Sequence, residues 1–212
     1  MKPTINEIEK AKEIVNELIK RYNFFEAIIC EDNVCFYSWY EVCKEFLESK
    51  GIMLCCGESK ACIIPNELPN WVIKVGFVDY SEYFDKMTTD YCRIEAGNFK
   101  DAEEEGLGEY FAACYELCSV EPTSDYDYKG LVTFYIQERA ESNSSKTSRT
   151  CEEYTGSNDN DDEDRVRSLF GESEEVERLI DFLDEWNIND LHSGNFGYTE
   201  DGKVKIIDYS GY

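Results

Sequence analysis

The segment from Ile188 to Tyr209 constrains this chain more than any other. It reads Ile188-Asn189-Asp190-Leu191-His192-Ser193-Gly194-Asn195 and closes on Ile206-Ile207-Asp208-Tyr209. Two acids and an amide stand at fixed offsets: Asn195 is five positions after Asp190, and Asp208 is thirteen after Asn195. Each residue alone has an ordinary structural use. Asp190 can cap a turn, His192 can pack in a core, Asn195-Phe196-Gly197 can turn the chain, and Asp208 can end a strand. Together, in a loop–strand–turn–strand context, they read as a functional set.

The set resembles the catalytic loop and metal-binding strand end of the protein-kinase-like superfamily. Its D-x-H-x-x-N form is closer to small-molecule kinases of the aminoglycoside and choline kinase types than to protein kinases. The resemblance implies that Asp190 accepts or orients the substrate hydroxyl. Asn195 and Asp208 then hold magnesium on ATP, with His192 near the transferred phosphate. The chemistry suits the residues. Magnesium prefers oxygen ligands, which a carboxylate and an amide carbonyl supply, and a nucleophilic hydroxyl needs a carboxylate within hydrogen-bond reach. The chain departs from the family at Ile188, where His is usual, and at Asp208-Tyr209-Ser210, with Gly211 one place later, where D-F-G is usual. It ends four residues after Asp208, so the expectation is a nucleotide half without the family's acceptor platform.

A chain of 212 residues suits one domain of two lobes or two small domains. Its 42% hydrophobic and 14% aromatic content supports a core despite the acidity. Lys plus Arg number 21 and Asp plus Glu 46, for a net charge of −25. Such a surface repels phosphate backbones, so direct nucleic-acid binding is not expected. It can attract a cationic small molecule or a basic protein, mimic nucleic acid, or simply solubilise the fold. Ten cysteines without a C-x-x-C pair, and one histidine, argue against zinc. Several cysteines lie in apolar strand-like stretches, and the amino terminus is charged and amphipathic. The expectation is reduced thiols in the cytoplasm. No stretch approaches about 18 apolar residues, so no membrane span is expected.

Residues 4–22 read as a helix capped by Thr4 and Glu7, with an apolar stripe from Ile5 to Ile19. A second helix is expected from Ser38 to Lys50, stopped by Gly51. Strands are expected at Ile52–Cys56, Ala61–Ile64 and Trp71–Phe77, with Gly57-Glu58-Ser59-Lys60 as the first turn. Lys74 sits amid Val72-Ile73-Lys74-Val75, where burial is costly unless it is paired. This stretch resembles the family's V-A-I-K strand, which implies that Lys74 reaches ATP phosphates and pairs with a helix Glu. Glu95 is the candidate, with Glu103, Glu104 and Glu105 as competitors; the helix is expected over 81–105, broken near Gly97. The resemblance places Gly57 and Ser59 in the nucleotide loop, which has one glycine where protein kinases have three.

Further strands are expected near Ala113–Cys118 and Leu131–Glu138. The second resembles the strand entering the hinge, which implies that the backbone of Glu138, Arg139 and Ala140 clamps adenine. Residues 141–164 are polar and aperiodic and read as a linker, with a solvated acidic run at Asp159–Asp164. A helical pattern follows from Asp164, interrupted at Gly171 and restarted at Ser173. Its expected stripe is Val176, Leu179, Ile180, Leu183 and Trp186.

The fold class expected is α+β. The resemblance implies a two-lobed kinase-like fold with a small antiparallel-sheet lobe, a reduced helical lobe and two extra amino-terminal helices. Its divisions would be accessory helices at 1–51, a small lobe at 52–140, a linker at 141–164 and a reduced large lobe at 165–212. Two functions follow from it. One is a minimal phosphotransferase using ATP and magnesium on an unknown acceptor. The alternative is a pseudokinase, or an acidic nucleotide-binding regulatory module, without catalysis.

Overall fold

The structure is a computed structural model that describes residues 1–21, 29–30, 33–34, 47–48, 53–56, 61–79, 89–121, 130–157 and 161–211. The chain is α+β with antiparallel sheets. It forms two compact units: Met1–Ala96 with Cys114–Glu138, and Gly97–Ala113 with Arg139–Tyr212.

The first unit is built on five antiparallel strands. They are β3 (Met53–Cys56), β4 (Ala61–Ile64), β5 (Trp71–Asp79), β6 (Cys114–Val120) and β7 (Gly130–Glu138), in spatial order β3-β4-β5-β7-β6. A two-stranded ribbon, β1 (Ile29–Cys30) with β2 (Asn33–Val34), precedes them. Side chains alternate between the two faces of a strand. One face carries Ala61, Ile63, Trp71, Ile73, Val75, Val132, Phe134 and Ile136, which form a core with Ala11, Val15 and Leu18 of α1 (Ile5–Arg21). The other face carries Val72, Lys74 and Gly76 of β5 opposite Gln137, Tyr135 and Thr133 of β7. Both faces are covered, so Trp71 to Gly76 are buried without a break. That is why β5 reads in the sequence as an almost continuous apolar run.

Helix α1 begins as its sequence predicts. Glu7 N donates to Thr4 Oγ1 at 3.3 Å, and Thr4 N donates to Glu7 Oε2 at 2.7 Å. A third contact has no local signal in the sequence: the indole N–H of fully buried Trp71 donates to Glu7 Oε1 at 2.9 Å. The Thr4 backbone N–H holds the Glu7 carboxyl below its ordinary value of 4.5. A depressed carboxyl stabilises the fold above its unfolded pKa, and the contribution fades as pH falls through the folded value. Glu7→Ala strands a buried indole donor as well as a cap, so it should cost about 1–3 kcal/mol in urea unfolding at neutral pH. The gap between wild type and variant should shrink below pH 4.5; a constant gap down to pH 3 would show that the carboxylate is not the source.

Helix α2 (Tyr91–Glu104) is continuous through Gly97. The break expected there is absent because a lone helical glycine costs only about 1 kcal/mol. Residues 80–88 lie outside the described residues, as does most of the expected helix at 38–50, of which Leu47 and Glu48 are described as helical.

The second unit holds α3 (Ser144–Thr155), α4 (Asp162–Phe170), α5 (Glu174–Glu185) and a sheet ordered β10-β9-β8. The strands are β8 (Glu141–Ser142), β9 (Phe196–Tyr198) and β10 (Val204–Ile206). Helix α3 corrects the reading of 141–164 as an unstructured linker. Asn143 caps it by accepting from Lys146 N at 3.0 Å, Gly156 ends it at φ 72°, and Thr147 and Cys151 are buried. Two small buried residues four apart make too weak a stripe for periodicity to register. On α5, Val176, Leu179, Ile180 and Leu183 are buried as expected, but Phe182 joins them and Trp186 does not. Trp186 is the residue after the helix and is 41% exposed.

Candidate functional site

The candidate residues fall into two groups, one in each unit. In the first unit, Lys74 lies mid-strand on β5, between Cys62 of β4 and Tyr135 of β7. Its ammonium donates to Glu95 Oε2 at 2.7 Å. Lys74 is 8% exposed and Glu95 is fully buried. Glu95 is therefore the carboxylate on Lys74, ahead of Glu103, Glu104 and Glu105. Removing two ions from water costs several kcal/mol each, and a good ion pair returns that only with close geometry.

Sequence reasoning missed what holds α2 in place. Asp90 caps the helix by accepting from Arg93 N at 3.0 Å through Oδ1, while Oδ2 accepts from the Tyr135 hydroxyl at 3.2 Å. Burial, then the neighbouring Asp90 charge, pushes the Tyr135 hydroxyl well above its ordinary pKa, so it remains a donor. An Asp just before a helix is a legible cap, but the expected helix ran through Asp90, which placed it in the interior and hid that role.

In the second unit, Asp190, His192 and Asn195 lie on the loop between α5 and β9. Asp190 is half-buried and His192 exposed. The main chain arranges the loop. Asn195 N donates to His192 O at 2.9 Å, and Gly194 N donates to His192 Nδ1 at 3.0 Å. The second contact makes Nδ1 an acceptor, so the proton of the neutral ring sits on Nε2. Asn195 is buried, and its amide contacts the Asp190 main-chain carbonyl. A carbonyl can only accept, so the contacting atom is Nδ2, and Oδ1 is turned away as a potential ligand.

Asp208 follows β10. Ile207 N donates to Asn195 O at 2.8 Å, which ties the strand end to the loop one residue before Asp208. Tyr209 is anchored on the far side: its hydroxyl donates to Ala112 O, its carbonyl accepts from Asn98 Nδ2 at 2.8 Å, and its ring packs edge-on against Phe111 at 5.0 Å. Gly211, at φ 68°, passes so close to Asn187 that a Cβ would lie 2.5 Å from its carbonyl oxygen. Asp208 is half-buried, with Ser210 Oγ 3.4 Å from Oδ1. Asn195 and Asp208 offer hard oxygens, which fit magnesium. Among the described residues no group of three His, Cys, Asp or Glu is arranged around a metal. Magnesium does not need one, since it binds through one or two carboxylates, waters and substrate phosphates.

Two supports of this loop were also missed. Leu191 N donates to Asp162 Oδ2 at 3.2 Å, and Arg165 Nη1 bonds Asp162 Oδ1 at 2.7 Å. The same Arg165 nitrogen lies 3.5 Å from Leu191 O. Asp161 caps α4 by accepting from Asp164 N at 2.8 Å. The acidic run is thus more than a solvated face: one member starts a helix and another holds the loop beside Asp190.

Of the expected adenine clamp, Glu138 closes β7, buried, with Oε2 3.9 Å from the amino-terminal ammonium. Arg139 pairs with Glu141 at 2.6 Å. Ala140 packs so tightly on Gly197 that a Cβ there would lie 2.8 Å from its backbone. Gly57 and Ser59 lie outside the described residues. No described helix is long and apolar enough to cross a membrane.

No family model and no curated protein matches the chain. Among solved structures it is similar to a ROP18 kinase domain in complex with AMP-PNP and sucrose, at 15% identity and TM-score 0.34, over 74% of this chain and 50% of that one. It is also similar to the bifunctional kinase-methyltransferase WbdD, at 12% identity and TM-score 0.33, over 73% of this chain and 30% of that one. The chain therefore spans half, or less than a third, of the length of these structures.

Proposed function

We propose that this chain is a kinase-like phosphotransferase that uses ATP and magnesium, with the two units as its sheet-based and helix-based lobes. Lys74 holds ATP phosphates, and Glu95 holds Lys74. The backbone of Glu138 to Ala140 meets adenine, and Gly57 and Ser59 belong to the nucleotide loop. Asn195 and Asp208 hold the metal. Asp190 takes the proton from the acceptor hydroxyl as its oxygen bonds to phosphorus and ADP departs. His192, exposed on the same loop, lies near the transferred group. Magnesium, when bound, offsets the charge that develops on that group. A net charge of −25 favours a cationic small molecule or a basic protein as acceptor.

The observation that carries this reading is the buried Lys74–Glu95 pair, at 2.7 Å. A well-packed apolar pair would serve folding equally well or better. A buried ion pair between the strand and helix of the first unit is therefore better explained by the charge it presents.

The test is phosphate release and autophosphorylation from labelled ATP, neither of which needs a known acceptor. Magnesium-dependent turnover is expected. Binding without turnover would instead make the chain a nucleotide-binding module. Asp208→Ala should abolish the magnesium-dependent part of ATP affinity, because it removes the one carboxylate ligand. Unchanged magnesium dependence in a calorimetric titration would remove Asp208 from the metal site.

A further inference from the structure

Lys74 and Tyr135 are direct cross-strand partners on β5 and β7, so their side chains leave the same face of the sheet. Both reach α2. Lys74 meets Glu95, and the Tyr135 hydroxyl meets Asp90, five residues earlier at the helix cap. Gly76 and Thr133, the next cross-strand pair on that face, complete the seat. A Cβ on Gly76 would fall 2.6 Å from both Asp90 Oδ1 and Thr133 Oγ1. The missing side chain is what admits the Asp90 carboxylate to the sheet. Among the described residues, Thr133 Oγ1 is the buried side-chain polar atom without a hydrogen-bond partner.

We infer that Asp90 and Tyr135 are positioning residues that latch the start of α2 to the sheet and so set Glu95 against Lys74. The inference rests on the reading of Lys74 as the phosphate-holding residue. A helix held only through the Lys74–Glu95 contact could pivot about it. The second contact at the cap removes that freedom, and a fixed pair presents its charge without reorganisation.

Lys74 can be followed without any nucleotide, by its rate of acetylation with an amine-reactive ester, read residue by residue in a mass spectrometer. Lys205 is the internal reference. It is buried, and its ammonium donates to Glu109 O at 2.6 Å, in the other unit. Tyr135→Phe deletes one hydroxyl and preserves the ring volume. It should raise the Lys74 rate about tenfold, the scale of one hydrogen bond to a charged group, and leave Lys205 unchanged. Asp90→Ala should do the same, and Asp90→Asn, which keeps a capping oxygen, should fall nearer to wild type. Gly76→Ala should open the latch from the sheet side. If Lys74 stays protected in both Tyr135→Phe and Asp90→Ala, the latch is overturned. It is equally overturned if Lys74 and Lys205 rise together, because the change is then general instability. If Lys74 alone responds while the wild type binds no ATP, the latch stands and the phosphotransferase reading falls.

Discussion

On the proposed reading, Asp190→Asn should lower phosphoryl transfer by about 10²–10⁴-fold, the usual contribution of a positioned general base, and should leave ATP affinity close to wild type. The substitution exchanges one carboxylate oxygen for an amide of the same size. It spares the loop, because the contacts that shape it run through main chain: Asn195 reaches the Asp190 carbonyl, and Asp162 holds Leu191 N. What it removes is the ability to take a proton. The loss should therefore appear in kcat and not in KM for ATP, measured through ATP hydrolysis and autophosphorylation. Equal rates for wild type and variant, with ATP still bound, would show that Asp190 is not a base and would favour the nucleotide-binding module.

Glu95→Ala destabilises the fold by about 3–5 kcal/mol, because it leaves a buried ammonium without its carboxylate. Lys74 is 8% exposed and Glu95 fully buried, so water offers little relief. Lys74→Met with Glu95→Leu removes both charges and keeps apolar volume. That double variant should recover most of the lost stability, since desolvation is no longer paid for. It should not recover ATP binding. Urea unfolding and nucleotide titration of the three proteins separate the two roles of the pair. If the double variant binds ATP like wild type, Lys74 holds no phosphate. If Glu95→Ala unfolds at the wild-type midpoint, the pair is not energetically coupled to the fold.

The parts of this architecture that were legible in the sequence share a cause: the signal was local or strongly periodic. The Thr4–Glu7 cap, the unbroken burial along Trp71 to Gly76 of β5 and the restart of the helical pattern at Ser173 all lie within a few residues. The Lys74–Glu95 pair was legible for another reason, since a lysine inside an apolar run demands a carboxylate partner somewhere. Contacts distant in sequence were invisible: Trp71 to Glu7, Tyr135 to Asp90, and Leu191 to Asp162. Each is a single polar contact between residues that have unremarkable neighbours in the sequence. Helix α3 was missed because its Ser/Thr-rich stretch has weak helix propensity, and its start depends on the Asn143 cap and on burial of Thr147 and Cys151. The order of the candidate loop was legible as residue types at fixed spacing. Its supports were not, because backbone carbonyls and a neighbouring helix provide them.

Whether this chain binds ATP with magnesium is read out by thermal unfolding of the wild type across ATP concentrations, with magnesium and with a chelator. A ligand that binds the folded state at about 100 times its dissociation constant adds about 2.7 kcal/mol of stability. The midpoint should rise saturably with ATP and magnesium together, and should rise less with ATP alone. No shift with any nucleoside triphosphate at millimolar concentration, with or without magnesium, would contradict it.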